Sequence, residues 1–447
     1  MLAQGVLQCS AALAAGKTSS ADLVEEALAK IADPGGEGDL AFTEVFAGEA
    51  RAEAAEADRR RAEGASAGRL AGIPISVKDL FDLVGRVTRA GSVVLKDEPP
   101  ARRDAAAVAR LRAEGAVVIG RTNMTELAFS GLGLNPHYGT PANPWHRDER
   151  RIPGGSSSGA AVSVADGMCA AAIGSDTGGS VRIPSALCGL AGFKPTREAV
   201  SRDGAYPLST TLDSVGPIAP TIADCALLFA IMSGTTVAEP LSEDVPLRLV
   251  VATNYVTDGM DETVTAAFAA ALDRLRAAGI TIEPHRIAAF DRLPEMARIG
   301  AYPGIEAYAA QRVRLEAHRE AFDPRVASRI LAAGTLPADT VARLDVARAA
   351  YIEELAAEIA PYDGMLMPTV PVVAPRIADL ADDAAYGAAN LLMLRNPTTI
   401  NLLGGCAASL PVHEPGTAPV GLSLAGPAGS DMRILAIAER LSRILSH

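Results

Sequence analysis

Residues 153–184 read PGGSSSGAAVSVADGMCAAAIGSDTGGSVRIP. This stretch holds two Gly-Gly-Ser clusters, which end at Ser156 and Ser180, with an alanine-rich segment between them. Glycines let a backbone turn sharply, approach a ligand closely and point N–H groups into a concavity. One such cluster could be an ordinary glycine-rich turn, but two clusters in one short stretch favour a catalytic site. The pattern predicts a covalent hydrolase in which one serine attacks the substrate and the other relays its proton. Such an enzyme also needs a base that accepts this proton.

A candidate base follows residues 73–77 (IPISV), an apolar run that predicts a short β-strand. A lysine at the end of a strand is ordinarily a solvated loop residue. If Lys78 instead lies among apolar groups, it loses its charge more easily, because desolvation penalises the ammonium form. A neutral amine can accept the proton of a serine hydroxyl, and Ser–Lys pairs are a known alternative to Ser–His–Asp. We therefore expect Lys78 to act with the two serines.

The composition is typical of a globular protein and argues against nucleic-acid and membrane partners. The chain has 447 residues, of which 49% are hydrophobic and 21% charged, close to an ordinary globular protein. Its net charge of −12 argues against a nucleic-acid partner. The basic run at residues 59–61 lies in an Ala/Glu-rich helical pattern typical of a solvated face. No apolar run reaches the roughly 18–20 residues that a membrane helix needs, so we expect no membrane partner.

Cysteines, histidines and glycine loops add no sign of a metal or cofactor. The five cysteines are odd in number and widely spaced, which favours a reducing, cytoplasmic location. The loop at residues 131–136 (GLGLNP) lacks the third glycine of a dinucleotide fingerprint. No recognisable triad motif or metal-ligand spacing includes any of the six histidines, which we interpret as surface or packing residues: His137, His146, His285, His318, His413 and His447.

The alternation of helical and short apolar patterns predicts an α/β fold. We expect one large domain with a parallel or mixed β-sheet that has helices on its faces. Helices are predicted near residues 3–15, 20–32, 46–64, 104–114, 221–233, 261–278 and 430–445. Strands are predicted at 73–77, 116–120, 247–252, in the run 365–371 and at 420–426. Loops are predicted at 192–196 and 212–217, a mainly helical section at 280–360, and a helix that begins within 395–401.

Four segments together resemble the amidase signature family. They are residues 72–79 (GIPISVKD), 120–126 (GRTNMTE), 153–159 (PGGSSSG) and 174–184 (GSDTGGSVRIP). The last two are highly specific when they occur together. One departure is mild: Ala160 stands where many members have a second glycine, and we expect no effect on the chemistry.

The resemblance is strongest over residues 70–235. It implies a single large α/β amidase domain over 1–447, with a mixed β-sheet core covered by helices on both faces. Residues 240–390 would be its variable part, which shapes the substrate site.

This resemblance implies a Ser–cisSer–Lys triad. Ser180 would be the nucleophile that forms the acyl-enzyme. Ser156, after a cis Gly155–Ser156 peptide bond, would bridge Ser180 and Lys78. Neutral Lys78 would take the proton through Ser156 and return it to the leaving amine. The oxyanion hole, whose donors are worth about 2.7–4 kcal/mol each in other enzymes, would come from the backbone N–H groups around Thr177, Gly178, Gly179 and Ser180.

Supporting positions follow from the same motifs. Ala128, Phe129 and Ser130 align with a loop that lines the scissile carbonyl in relatives. Ser157 is expected to hydrogen-bond within the site, and Asp213 to brace it from behind.

Asp176 and Arg182 are expected to pair their charges and hold the glycine loop. A sharper alternative has Arg182 bind a substrate carboxylate.

The function implied is that of an amidase, which hydrolyses a small carboxylic amide to the acid and ammonia or an amine without metal or cofactor. We expect a homo-oligomer, such as a homodimer. Three alternatives stay open: the glutaminase subunit of a tRNA-dependent amidotransferase, a hydrolase of ureido amides such as biuret or allophanate, and a non-catalytic scaffold. The intact Lys78, Ser156 and Ser180 speak against the scaffold.

Overall fold

The fold is taken from a computed structural model that describes residues 1–65 and 68–446. His447, which was interpreted together with the other histidines, lies outside the described residues.

One β-sheet runs through the molecule. Its strands are β1 Phe42–Val45, β2 Pro74–Lys78, β3 Val117–Thr122, β4 Ala171–Asp176, β5 Ala191–Lys194, β6 Ser214–Ala219, β7 Arg248–Ala252, β8 Thr281–His285, β9 Gly364–Pro368, β10 Cys406–Pro411 and β11 Gly421–Gly426. Within the described residues the order of the 11 strands is β1-β3-β2-β4-β6-β5-β10-β11-β9-β7-β8. The pairs β2–β3, β2–β4, β7–β8 and β7–β9 are parallel, and the other pairs are antiparallel. The sheet is therefore mixed, as expected.

Helices cover the sheet. They are α1 Val6–Ala14, α2 Ser20–Ile31, α3 Gly38–Ala41, α4 Ala47–Ala62, α5 Ala106–Ala113, α6 Ser158–Ala165, α7 Arg182–Leu187, α8 Ile222–Ser233, α9 Glu262–Ala277, α10 Leu293–Ile299, α11 Tyr302–His318, α12 Pro324–Ala333, α13 Thr340–Ile359, α14 Asp383–Leu403 and α15 Asp431–Leu445. Every residue of β2, β4, β6, β9 and β11 is buried. Because successive side chains of a strand point to opposite faces, both faces of the central sheet are covered.

Two neighbouring parallel strands bring the residues predicted for catalysis close together. Strand β2 ends at Lys78, and strand β4, which pairs with it, ends at Asp176. The carboxyl ends of parallel strands meet at one edge of a sheet. The segment between Asp176 and α7 therefore starts beside Lys78, although a hundred residues or so of chain separate them in sequence.

Most predicted elements are present, with ends that differ by a few residues. Ser19 caps α2: its side chain accepts a hydrogen bond from the N–H of Asp22, and the Asp22 carboxylate accepts from the N–H of Ser19.

The predictions for three segments are wrong. Residues 192–196 and 212–217 were expected to be loops, but most of them lie in β5 and β6. The glycines that suggested loops serve close strand packing, since a Cβ on Gly216 would lie 2.1 Å from the carbonyl oxygen of Phe193. The expected helix start within 395–401 lies near the end of α14, which contains Pro397. By contrast, the prediction that residues 280–360 are mainly helical is confirmed, with strand β8 at the start of this section.

Candidate active site

Lys78 and Ser156 are in contact at the edge of the sheet. Lys78 Nζ donates to Ser156 Oγ at 2.7 Å and to Ser175 Oγ at 2.9 Å. Lys78 and Ser156 are both fully buried. The Gly155–Ser156 peptide bond is cis, as the resemblance implied. Ser175 was not singled out from the sequence, although it lies in the second serine motif between Gly174 and Asp176.

Burial changes the protonation of Lys78. Desolvation lowers the pKa of Lys78 to about 7, against the attraction of Asp176 and Asp213, which favours the charged form. Neither carboxylate pairs directly with the amine, whose two hydrogen-bond partners are neutral hydroxyls. Near pH 7 a large fraction of Lys78 is therefore neutral and able to accept a proton.

Ser180 lies on the wall of the main cavity. It precedes α7, and its side chain is buried apart from a small face at the cavity. Within the described residues no hydrogen bond joins Ser180 Oγ to Ser156 Oγ. The structure thus brings Lys78 and Ser156 together and places Ser180 where a substrate can reach it.

The glycine loop before Ser180 is fixed by Asp176. The carboxylate of Asp176 accepts from the N–H of Gly179 at 2.9 Å and from the N–H of Val181 at 3.2 Å. The N–H of Gly179 is thus already paired, whereas those of Gly178 and Ser180 have no acceptor among the described residues. Gly179 contributes its backbone shape, since its φ is +125° and a Cβ would lie 2.6 Å from Pro397 Cβ.

Arg182 holds Asp176 from the other side. Its Nη2 and Nε donate to the two carboxylate oxygens of Asp176 at 3.0 and 3.1 Å, and Asn401 Nδ2 donates to Oδ1 at 2.8 Å. Burial alone would raise the pKa of Asp176, but the Arg182 guanidinium holds it well below its usual range. Arg182 is fully buried, so it fits the expected charge pairing and not the alternative of binding a substrate carboxylate.

Asp213 and Ser157 brace the same loop. Thr177 Oγ1 donates to Asp213 Oδ1 at 2.5 Å, and the N–H groups of Leu208 and Ser209 donate to Oδ2 at 3.0 Å each. Burial raises the pKa of Asp213 to about 6, although these hydrogen bonds favour its charged form. Ser157 directly precedes α6, and its hydroxyl lies 3.5 Å from the carbonyl oxygen of Ser175.

The loop after β3 forms another part of the cavity wall. Leu127 and Ala128 adopt φ of +52° and +60°, a left-handed conformation that is uncommon for residues other than glycine. Ser130 Oγ and the N–H of Gly131 both donate to Asn390 Oδ1, at 2.8 and 2.9 Å. Asn390, on α14, was missed from the sequence, where nothing marks it as different from other polar helix residues.

The cavity has a volume of about 830 Å³ and is mostly apolar. Of the predicted site residues, the cavity is lined by Ala128, Phe129, Ser130, Thr177, Gly178 and Ser180. Helices α10 to α14 supply much of the remaining wall. A substrate in this cavity would meet Ser180 and the unpaired N–H groups beside it.

Within residues 1–65 and 68–446, no group of three or more His, Cys, Asp or Glu side chains is placed to hold a metal ion. In the same residues no helix combines the length and apolar composition needed to cross a membrane. All five cysteines are buried and free.

Comparison with known proteins identifies relatives along nearly the whole chain. A family model described as Amidase matches residues 22–435. The chain is 37% identical over 411 residues to 2-amino-5-chloromuconic acid deaminase of Comamonas testosteroni, covering 89% of this chain and 86% of the relative. It is 35% identical over 381 residues to the AtzE component of 1-carboxybiuret hydrolase from Pseudomonas sp. (strain ADP), covering 82% and 81%.

One component of the glutamyl-tRNA(Gln) amidotransferase from Roseiflexus castenholzii is 34% identical over 483 residues, covering 98% of this chain and 95% of that one. Among solved structures, an amidase superposes with a TM-score of 0.88 at 31% identity, covering 99% of this chain and 100% of the other. A peptide amidase bound to the inhibitor chymostatin superposes with a TM-score of 0.83 at 27% identity, covering 98% and 97%.

Proposed function

This chain belongs to the amidase signature family and is an amide hydrolase that acts on C–N bonds, and from this premise we propose that it cleaves a small carboxylic amide through an acyl-enzyme on Ser180. The contact that carries the proposal is the 2.7 Å hydrogen bond between Lys78 and Ser156, because it joins a buried amine of lowered pKa to the predicted relay serine. The acid and either ammonia or an amine are the products.

Acylation uses the neutral amine of Lys78. Ser180 Oγ attacks the amide carbon while its proton passes to Ser156, and the proton of Ser156 passes to Lys78. The N–H groups of Gly178 and Ser180 stabilise the oxyanion that forms, which is worth about 2.7–4 kcal/mol for a donor of this kind. As the C–N bond breaks, the proton returns from Lys78 through Ser156 to the leaving nitrogen.

Deacylation repeats the same transfers with water. A water molecule attacks the ester carbon and loses its proton through Ser156 to Lys78, and the C–O bond to Ser180 breaks. Ser180 recovers its proton and the carboxylic acid leaves. After a full cycle the enzyme has therefore returned to its starting protonation state. Any proton that is released comes from ionisation of the products.

The proposal assigns different roles to two parts of the chain. Residues 70–235 carry the reacting groups, and residues 240–390 shape the substrate site. Helices α10 to α13 lie within the second range and wall the cavity, which supports this division.

We also propose a cytoplasmic location, in line with the free cysteines, and a homodimeric assembly. Light scattering of the purified protein tests the dimer.

The glutaminase subunit is the strongest rival in chemistry. Glutamine carries an ammonium group beside its carboxylate, and that group needs a partner of opposite charge or several acceptors. Within the described residues no Asp or Glu lines the cavity. The ureido-amide alternative shares the reaction and differs only in the acyl group, and the scaffold alternative leaves the perturbed Lys78 without a role.

Ammonia release from a panel of aliphatic, aryl and ureido amides tests the function. The isolated protein should hydrolyse members of the panel without a partner chain, and Ser180→Ala should abolish this turnover. Ser201→Ala is the matched control, since Ser201 is an exposed loop serine. Wild-type turnover by Ser180→Ala would refute the assignment, and activity that requires added partner chains would favour the glutaminase.

A further inference from the structure

The main cavity has an unusual balance of charge. Its walls are apolar, and within the described residues its charged side chains are two arginines, Arg329 on α12 and Arg395 on α14. The reaction proposed for Ser180 uses neither of them.

Arg329 is held by backbone oxygens. Its Nε donates to the carbonyl of Arg325 at 3.1 Å, and its Nη2 donates to the carbonyl of Phe129. Its guanidinium carbon lies 4.8 Å from the centre of the Phe129 ring. The guanidinium is therefore fixed against the loop that precedes Ser130.

Arg395 is anchored to a different part of the wall. Its Nη1 and Nη2 donate to the carbonyls of Asp258 and Val256 at 2.6 and 3.2 Å, and its Nε donates to Asn396 Oδ1 at 2.9 Å. Its guanidinium carbon lies 5.9 Å from the centre of the Tyr255 ring.

Neither cavity arginine has a carboxylate in direct contact among the described residues, although Asp323 favours the charge of Arg329 and Asp258 that of Arg395 from farther away. Within the described residues neither forms an ion pair with a carboxylate, whereas the fully buried Arg182 is paired with Asp176. Burial lowers the pKa of both Arg329 and Arg395, since desolvation opposes their charge. A partly buried cation in an apolar surrounding is costly unless an anion pairs with it. The cavity therefore presents two fixed positive charges that an anionic ligand can neutralise.

We propose that the substrate carries two carboxylate groups, one for Arg329 and one for Arg395, in addition to the amide that Ser180 attacks. This deepens the proposed function and rests on it. A guanidinium has five N–H donors, and those that Arg329 and Arg395 do not give to the protein can bind a carboxylate. The apolar walls of the cavity fit the carbon skeleton that connects the two charges. A dicarboxylic amide is thus the substrate class that satisfies every charge in the cavity.

Binding to the Ser180→Ala protein tests this class without turnover. The probes are linear dicarboxylates of four to eight carbons, the monocarboxylates of the same length and the corresponding neutral diamides, measured by calorimetry. At the best length the dicarboxylate should bind about tenfold to hundredfold more tightly than the monocarboxylate, as expected for one more charge-assisted contact. The inference is overturned if the diamide or the monocarboxylate binds as tightly as the dicarboxylate.

Single variants separate the two contacts. Arg329→Gln and Arg395→Gln, each combined with Ser180→Ala, should reduce dicarboxylate affinity to that of the monocarboxylate, and Arg395→Lys should retain part of the gain. Arg312→Gln is the control, since Arg312 on α11 is exposed and does not line the cavity. Unchanged dicarboxylate affinity in both cavity variants overturns the inference. The comparison of probes in the unaltered cavity stays decisive even if a variant does not fold.

The two proposals fail in different ways. If Ser180→Ala retains wild-type turnover, the proposed mechanism is refuted, whereas the preference for dicarboxylates can still be measured. If amide hydrolysis depends on Ser180 but neutral and dicarboxylate probes bind alike, only the substrate class is wrong.

Discussion

The amine of Lys78 owes its chemistry to what surrounds it. It ends a fully buried strand, and its hydrogen-bond partners are the hydroxyls of Ser156 and Ser175. The nearby acids Asp176 and Asp213 are engaged elsewhere, by Arg182 and by Thr177. This separation keeps Lys78 from forming the ion pair that would hold it protonated. A lysine in this setting can act as a base near neutral pH.

The pH dependence of the reaction should report this amine. Only neutral Lys78 accepts a proton, and its pKa is about 7, so kcat/KM should be low below this pH and rise as the pH passes through about 7. Steady-state rates between pH 5 and pH 9 measure the rise. An activity that falls as the pH rises over this range would contradict the role of Lys78 as the base.

A matched pair of variants assigns the pH effect to one lysine. Lys78→Met should lose the rise together with most of the activity. Lys96→Met should keep both, because Lys96 is exposed and outside the cavity.

At the scale of elements, the segment that joins β4 to α7 organises the site. Asp176 at the end of β4 receives the N–H groups of Gly179 and Val181 and the guanidinium of Arg182. One carboxylate therefore shapes the turn that presents Ser180 and anchors the start of α7.

Removing this charge should destabilise the fold. Asp176→Asn leaves the Arg182 guanidinium buried without a counterion, and the loss of one partner from a buried pair costs about 3–5 kcal/mol. Urea unfolding of Asp176→Asn and the wild type measures the difference.

The control is an exposed pair. Asp203→Asn breaks the ion pair with Arg103 and should cost about 1 kcal/mol or less. Equal stabilities for Asp176→Asn and Asp203→Asn would contradict the structural role given to Asp176.

The sequence predicts elements well where one pattern dominates. Helix α2 and the apolar strand β2 were predicted from local patterns at residues 20–32 and 73–77, and both are present. Strands β5 and β6 were misread because their glycines and prolines mark turns locally. Their role in the sheet depends on strands far away in sequence, such as β10, which no local pattern reveals.

Some residues of the candidate site could also be predicted from the sequence, whereas others could not. Lys78, Ser156 and Ser180 stand in motifs and could be predicted as a group. Ser175 stands in a motif too, but its contact with Lys78 depends on the pairing of β4 with β2. The roles of Asn390 and the two cavity arginines could not be predicted, because they depend on which helix faces the cavity. That property arises from tertiary packing, and a single arginine on a helix reads the same whether it faces solvent or substrate.

At the scale of the whole molecule, the sheet interleaves early and late parts of the chain. Strand β5 pairs with β6 on one side and with β10 on the other, so the residues of the signature motifs share a core with residues 406–411 near the end of the chain. The reacting groups and the substrate cavity are therefore parts of one folded unit.

Truncation tests this unity. A fragment of residues 1–240 keeps every motif residue but loses β7 to β11, which exposes the edge of β5 and the apolar core beside it. An exposed apolar strand edge promotes aggregation. We expect the fragment to be insoluble or unfolded by circular dichroism and size-exclusion chromatography. A soluble, folded monomer would show that residues 1–240 form an independent domain.

The most direct test of the central assignment is the mass of the enzyme during turnover. The protein is mixed with an amide that it hydrolyses, quenched in acid within the first turnovers and digested for peptide mass analysis. We predict that the acyl group of the substrate is attached to Ser180 in the peptide that contains it. The Ser180→Ala protein should carry no such adduct. An acyl group on a different residue of the wild-type enzyme would contradict it.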